Sequence, residues 1–346
     1  MKRIYRIATI LLACFLTLPT FVEKAHAADY DIGHDDVELN ANNAGSHVIT
    51  GQTSGYFGGH HVNVASGNHT ITLRDVSIDA GGTSSAMNVR SGAEVTLILE
   101  GDNELYGANN HPAIWVEEGA RLTIKGDGAL IAAAGSTTLG RGAAGIGGGY
   151  GIGNVNFGDI IIESGHVSAS GSQGGAGIGG GYYAGISDVS GNITIRGGQV
   201  SAVGGSNGAG IGAGQNCAYT GMVEVSGGVV YANGNPVSIG GGARITGGDS
   251  ENYHGAFSTG TNGNAVIIAP KGIGANRDAA NWDGIFISYE GNENSAYVTA
   301  DGTVVLNDSV ANIQVWGDPI IDYPLTVAEG ATLRIVMNDR NDRSPL

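Results

Sequence analysis

The chain has 346 residues, 62 of them glycine, and carries 16 Lys and Arg against 32 Asp and Glu for a formal net charge of −16. That balance excludes a nucleic-acid partner, whose phosphates need Lys and Arg contacts, and it disfavours anionic lipid surfaces. The glycines follow no Gly-X-Y period, Val, Ile and Leu are plentiful and only 7 prolines occur, so neither a collagen nor a disordered linker fits.

The first 27 residues read as an export signal: Lys2, Arg3 and Arg6 lead, Ile7 to Leu18 is apolar, and Ala25-His26-Ala27 is a small-x-small cleavage site. The apolar run is short for a membrane span, and no later run of about 18 apolar residues appears, so no stable membrane insertion is expected. With the four basic residues and one acidic residue of the signal removed, the remainder carries 12 basic and 31 acidic residues, net −19. Neutral glycans and divalent cations suit such a surface; a polyanionic polysaccharide would need a cation bridge or a local basic patch. Cys14 lies inside the apolar run, which leaves Cys217 alone and excludes an internal disulfide.

Asp31, Asp35 and Asp36, with His34 among them, form an acidic start that is either a solvated surface or an oxygen-rich site for Ca²⁺. His60-His61 is too small a ligand set for a structural transition metal.

Alternating strands then recur. Val89–Leu97 and Val116–Ile124 share a Val-x-x-Gly-x-x-apolar pattern, Val64–Leu73 is a version one residue longer, and the pattern returns as Val327–Ile335. In the middle, Ile160–Ala169, Ile193–Ala202 and Val223–Ala232 repeat a strand, a glycine corner and a second strand. Between them stand Ala144-Gly-Ile146-Gly-Gly-Gly149, Ala176-Gly-Ile178-Gly-Gly-Gly181 and Ala209-Gly-Ile211-Gly-Ala-Gly214, with an echo at Ser238–Gly242; the isoleucines are 32, 33 and 28 residues apart. Repeats of that length signal a solenoid, propeller or array. Period-2 alternation rules out helical repeats, and three short strands per coil suit a parallel β-helix better than a four-stranded blade. Coil openings are expected at Ile71, Val95, Leu122, Ile161, Ile193 and Val223. The glycine runs either let neighbouring chains pass closely or turn corners at positive φ; the sequence leaves both open. Asp249 to Asn264 is a polar stretch with no clear strand, after which Ala265–Ala269 and Gly284–Ser288 are strands at a different spacing and the repeat resumes near Leu325. The expected organisation is a signal over 1–27, coils over 28–247 and an irregular capping section with final coils over 248–346. The fold class is all-β, a single-stranded right-handed parallel β-helix.

The Ala-Gly-Ile-Gly-Gly-Gly and Ile-x-Ile-x-Gly-Gly-x-Val-x-Ala units, with Gly263–Ala269 and Trp282-Asp-Gly-Ile-Phe286, resemble glycine-rich β-helical regions of exported and cell-wall proteins of Gram-positive bacteria, over about residues 45 to 337. Such regions are labelled pectate-lyase-like or carbohydrate-binding. The resemblance implies a secreted protein, cell-surface associated in some relatives, whose partner is a polysaccharide or cell-surface glycan.

Two functions compete. Hydrolysis needs paired carboxylates near the scissile bond, yet Asp35-Asp36 is the lone Asp-Asp pair and precedes the regular coils. Lyase chemistry needs a Lys or Arg base, and the central coils offer Arg141 and Arg196, far apart in the repeat. Binding has more behind it. Tyr150 and Tyr182 each follow a glycine run one coil apart, Tyr183 adjoins the second, and Gln215 stands at the third. Stacked in register they would offer ring surface to sugars and an amide to hydroxyls, or serve as an aromatic stack that shields the glycine edge. The expectation is a non-catalytic carbohydrate-binding or adhesion module, with a polysaccharide lyase or hydrolase as the alternative.

Overall fold

In a computed structural model, the described residues are 28–53, 59–82, 84–136, 141–151, 155–185, 187–243, 255–259 and 265–274, together with the backbone of strands at 284–289, 296–298, 304–306, 311–316, 325–327 and 333–338. The export signal expected over 1–27, Cys14 included, lies outside them.

Alternation sets the strands. Along Gly67–Arg74, His69, Ile71 and Leu73 are buried while Thr70 and Thr72 face outward, and Ala93–Glu100 repeats the pattern with Val95, Leu97 and Leu99 inside. From Gly67 to Gly240 each coil contributes one strand to each of three sheets. In one coil these are Ile114–Val116, Arg121–Gly126 and Ala129–Gly135; in a later one, Ile178–Gly179, Ile193–Ile195 and Gln199–Val203. We call the sheets second, first and third in that order. Strands of successive coils pair in parallel in every sheet. The protein is a parallel β-helix, as its repeats predict.

Inward positions line up as continuous apolar columns. In the second sheet Val62, Met87, Ile114, Ile146, Ile178 and Ile211 stack in register, all fully buried. The first sheet corrects two expected openings. Val95 faces His69 rather than Ile71, and Leu122 faces Ile160 rather than Ile161. Ile160-Ile161-Ile162 does not alternate, so its parity is invisible in sequence; Ile161 takes the outward position beside Thr123.

The glycine runs do both things the sequence allows. Gly147, Gly179 and Gly212 have φ of +131°, +134° and +127°. A Cβ on each would sit 2.1, 1.9 and 2.2 Å from the carbonyl oxygen of the glycine one coil on. Only a residue without a side chain satisfies both conditions.

Past the regular coils, the described strands of the last section pair as follows. Ala256–Ser258, inside the stretch expected to lack a strand, pairs with Met222–Val225 and buries Phe257. Ala265–Ile268 and Gly284–Tyr289 extend the third sheet in parallel, so parallel stacking continues past residue 247. Then the direction reverses: Ala311–Trp316 pairs antiparallel with Gly284–Tyr289, and Leu333–Asn338 follows parallel to it. Ala296–Val298, Val304–Leu306 and Leu325–Val327 form a separate small sheet. A reversed strand ends the repeating parallel template at that end of the sheet.

Candidate functional site

Tyr150 and Tyr182 come together as the spacing predicts. Backbone bonds hold them: the Tyr182 N–H donates to Gly142 O at 2.8 Å, and the Tyr150 N–H to Asn110 O at 3.4 Å. The rings stack with centroids 5.7 Å apart and planes 15° apart. Arg141 places its guanidinium carbon 5.5 Å from the Tyr150 centroid. Each ring therefore gives one face to the other, and the surface left for a ligand is ring edge, phenolic hydroxyl and guanidinium.

Tyr183 and Gln215 turn inward. Consecutive residues of an extended segment point to opposite sides, and Tyr183 packs against the apolar core. Its carbonyl accepts from Asn216 Nδ2 at 3.1 Å. Gln215 is 3% exposed, and its Oε1 accepts from Asn207 Nδ2 at 3.0 Å. The glutamine stands where a third tyrosine would be in sequence, but it braces the loop from inside.

Sequence reasoning missed Trp115. It is the outward residue of Ile114–Val116, and its indole is fixed by three neighbours. Arg90 lies over the ring at 5.8 Å, His111 meets it edge-on at 6.1 Å, and Gly149 leaves room for Cζ2. The indole lines a recess of about 240 Å³ with Ser91, Glu117, Glu118 and Asn156. Arg90 bonds Glu117, and Asn156 Nδ2 donates to Glu118 Oε2 at 3.3 Å. The available signal was a tryptophan in an outward strand position next to two glutamates.

The acidic start does not converge. Asp31 faces His34 at 3.1 Å and accepts from the Gly33 N–H, whereas Asp36 faces His60 at 3.4 Å and His61 at 3.2 Å. Asp35 is exposed. Among the described residues no group of three or more His, Cys, Asp or Glu is arranged to hold a metal ion. Asp31 and Asp36 thus face separate histidines, His34 for the first and His60 and His61 for the second, and Asp35 joins neither contact.

A further titratable pair lies in the core. His47 Nε2 and His69 Nδ1 are 3.0 Å apart, and His69 Nε2 is 2.9 Å from Ser66 O. A carbonyl can only accept, so His69 Nε2 carries hydrogen, His69 Nδ1 accepts, and His47 Nε2 donates. His47 Nδ1 is then a buried acceptor with no hydrogen-bond partner. Burial, and secondarily the His69 charge, pushes the His47 pKa down; the Asn43 backbone opposes this without closing a hydrogen bond to Nδ1.

The comparisons agree with the fold and add little chemistry. A family described as a beta helix repeat matches residues 160–182 and 193–215. Those segments span the strands Asp159–Ile162, His166–Ser170, Ile193–Ile195 and Gln199–Val203 and the glycine runs that follow. No curated protein and no solved structure matches the chain.

Proposed function

We propose that this β-helix is a non-catalytic, secreted carbohydrate-binding or adhesion module whose partner is a polysaccharide or cell-surface glycan. The observation that carries the reading is the stacked Tyr150–Tyr182 pair beside Arg141. Ring carbon offers contact to the C–H surface of a sugar, and guanidinium and phenol groups offer hydrogen bonds to its hydroxyls. Trp115 with Glu117, Glu118 and Asn156 is a second recess of the same chemical character. Export through the segment 1–27 puts the module outside the cell. Lyase or hydrolase action has less support, because four outward carboxylates of the coils are taken up in ion pairs: Glu100 to Arg74, Glu117 to Arg90, Asp159 to Arg121 and Glu163 to Arg196.

The test is a panel of neutral and acidic glycans assayed for retention and for reducing or unsaturated ends. Retention without new ends is expected, and the Tyr150→Ala, Tyr182→Ala double variant should weaken retention at an unchanged melting temperature. Unimpaired retention by the double variant would remove the tyrosine pair from the reading, and new ends would replace binding with catalysis.

A further inference from the structure

A second recess runs along the corner where the chain enters the first sheet. It has a volume of about 460 Å³ and meets five successive strands of that sheet, from Gly92 through Gly119, Gly158 and Gly191 to Gly221. At about 4.8 Å per coil that is about 20 Å of trough. Two glycines keep part of its floor as bare backbone for a reason internal to the fold. A Cβ on Gly158 would lie 2.1 Å from Ala120 O, and one on Gly221 1.8 Å from Gly191 O, so neighbouring coils leave no room for side chains there.

One wall is a polar ladder. Glu94, Arg121 and Asp159 occupy the same register position in three adjacent strands. Arg121 Nη2 donates to Asp159 Oδ2 at 3.0 Å, Asn192 Nδ2 donates to Asp159 Oδ1 at 3.0 Å, and Asn192 Oδ1 accepts from the Met222 N–H at 3.3 Å. The order is therefore carboxylate, guanidinium, carboxylate, amide. Glu94 is exposed, and its carboxylate has no hydrogen-bond partner among the described residues. Ser190 and Thr220 add hydroxyls to the lining.

From this geometry we infer that the trough binds a linear, neutral, hydroxyl-rich oligosaccharide lying along the solenoid axis. The ladder alternates donors and acceptors once per coil, as a chain of hydroxylated rings does per unit. The two carboxylates against one guanidinium disfavour a polyuronate, and an apolar chain would strip water from the exposed Glu94 carboxylate and the open sites of the ladder without replacing its hydrogen bonds. Trp115 stands at one side: Ser91, Glu118 and Asn156 of its recess immediately precede Gly92, Gly119 and Phe157 of the trough. The tyrosine pair is a different surface, so the two sites can fail separately.

The experiment is calorimetric titration of the full chain with neutral linear oligosaccharides of increasing length, with oligogalacturonides as the acidic comparison. Affinity should rise with length until the trough is filled and be weaker for the uronides. Arg121→Ala and Asn192→Ala should each weaken binding about tenfold, the scale of one hydrogen bond involving a charged or well-placed group. Circular dichroism verifies folding. The Tyr150→Ala, Tyr182→Ala double variant should retain the length dependence. Binding that is independent of length, indifferent to Arg121 and Asn192, or stronger for uronides overturns the proposal, as does an absence of binding to every neutral series.

Discussion

Gly179→Ala tests the steric account of the glycine ladder. The new Cβ would fall 1.9 Å from Gly212 O, about 1.1 Å inside the 3.0 Å limit of real Cβ contacts. The neighbour cannot yield freely, because Gly212 O accepts from the Gly180 N–H at 2.8 Å. The residue also sits at φ +134°, where an L side chain is strained. Overpacking costs about 1–3 kcal/mol and a disallowed backbone conformation about 1–3 kcal/mol. Reduced freedom of the unfolded chain returns about 0.4–1 kcal/mol. The net loss is about 1–5.5 kcal/mol. Urea unfolding followed by circular dichroism measures it, and amide exchange should localise the damage to the coils on either side, since solenoid coils contact only their neighbours. Two controls separate the terms. Gly82→Ala, at φ +62° with nothing within 4 Å of its Cβ, should show conformational strain alone. Gly151→Ala, with nothing within 4 Å and no positive φ, should be about 0.4–1 kcal/mol more stable than wild type through the unfolded chain alone. A Gly179→Ala protein within about 0.5 kcal/mol of wild type, inside the range of an ordinary surface change, would refute the reasoning.

Acid should weaken the protein through His47. Its folded pKa lies below the unfolded value of about 6.5, so between the two the unfolded chain binds more protons and stability falls as pH falls; above about 6.5 there is no penalty. Urea midpoints between about pH 7.5 and 5 should decline, and His47→Leu should flatten that limb. Tyr219→Phe should cost about 1–3 kcal/mol, because the phenol of this fully buried tyrosine donates to the part-buried Gly191 O at 2.7 Å and its ring stacks on Phe157 at 6.2 Å; thermal melts read it. Ile178→Ala, in the middle of a fully buried column, should cost about 2–5 kcal/mol in the same assay. Arg196→Ala, which removes an exposed 3.5 Å ion pair with Glu163, should cost less than about 1 kcal/mol.

How far the sequence reached depended on whether a feature is local. Alternation within a strand is local, and so the three-strand coil and its core were legible from Ile193-Thr-Ile195 and its copies. Parity fails where alternation fails, as at Ile160–Ile162, and where a polar residue points inward, as His69 does opposite Val95. Ala256–Ser258 carries a single large apolar residue between alanine and serine, and only its pairing with Met222–Val225 marks it as a strand. The tyrosine pair was legible because both members follow identical glycine runs. Its geometry was not: sequence gives the register, but not that the rings spend a face on each other. The trough could not be read at all. Glu94, Arg121, Asp159 and Asn192 are tens of residues apart and meet only through coil stacking.

The second sheet shows where variation between coils matters. Its inward column changes little from Val37 to Ile239, while its outward column begins as Glu38, Asn63, Asn88 and Trp115 and continues as Gly147, Gly179, Gly212 and Gly240. The early coils project side chains that bond to one another, as Asn63 Nδ2 does to Glu38 Oε2 and Arg90 Nε to Asn63 Oδ1. The later coils project none, because their backbones pass too closely. Trp115 is the last side chain before that change, and Tyr150 and Tyr182 leave the chain just after the first two bare positions. A bulky ring at the end of a decorated column has open space over the glycines beyond it, which is why the indole reaches Gly149. The same closeness that forces glycine at Gly158 and Gly221 clears the trough floor at the neighbouring corner. Packing between coils and the recesses a ligand would use are thus two consequences of one set of glycines, so substitutions that fill a recess at Gly158 or Gly221 should unfold coils before they block a ligand. Binding is better dissected through Arg121, Asn192, Tyr150 and Tyr182, whose side chains the core does not need.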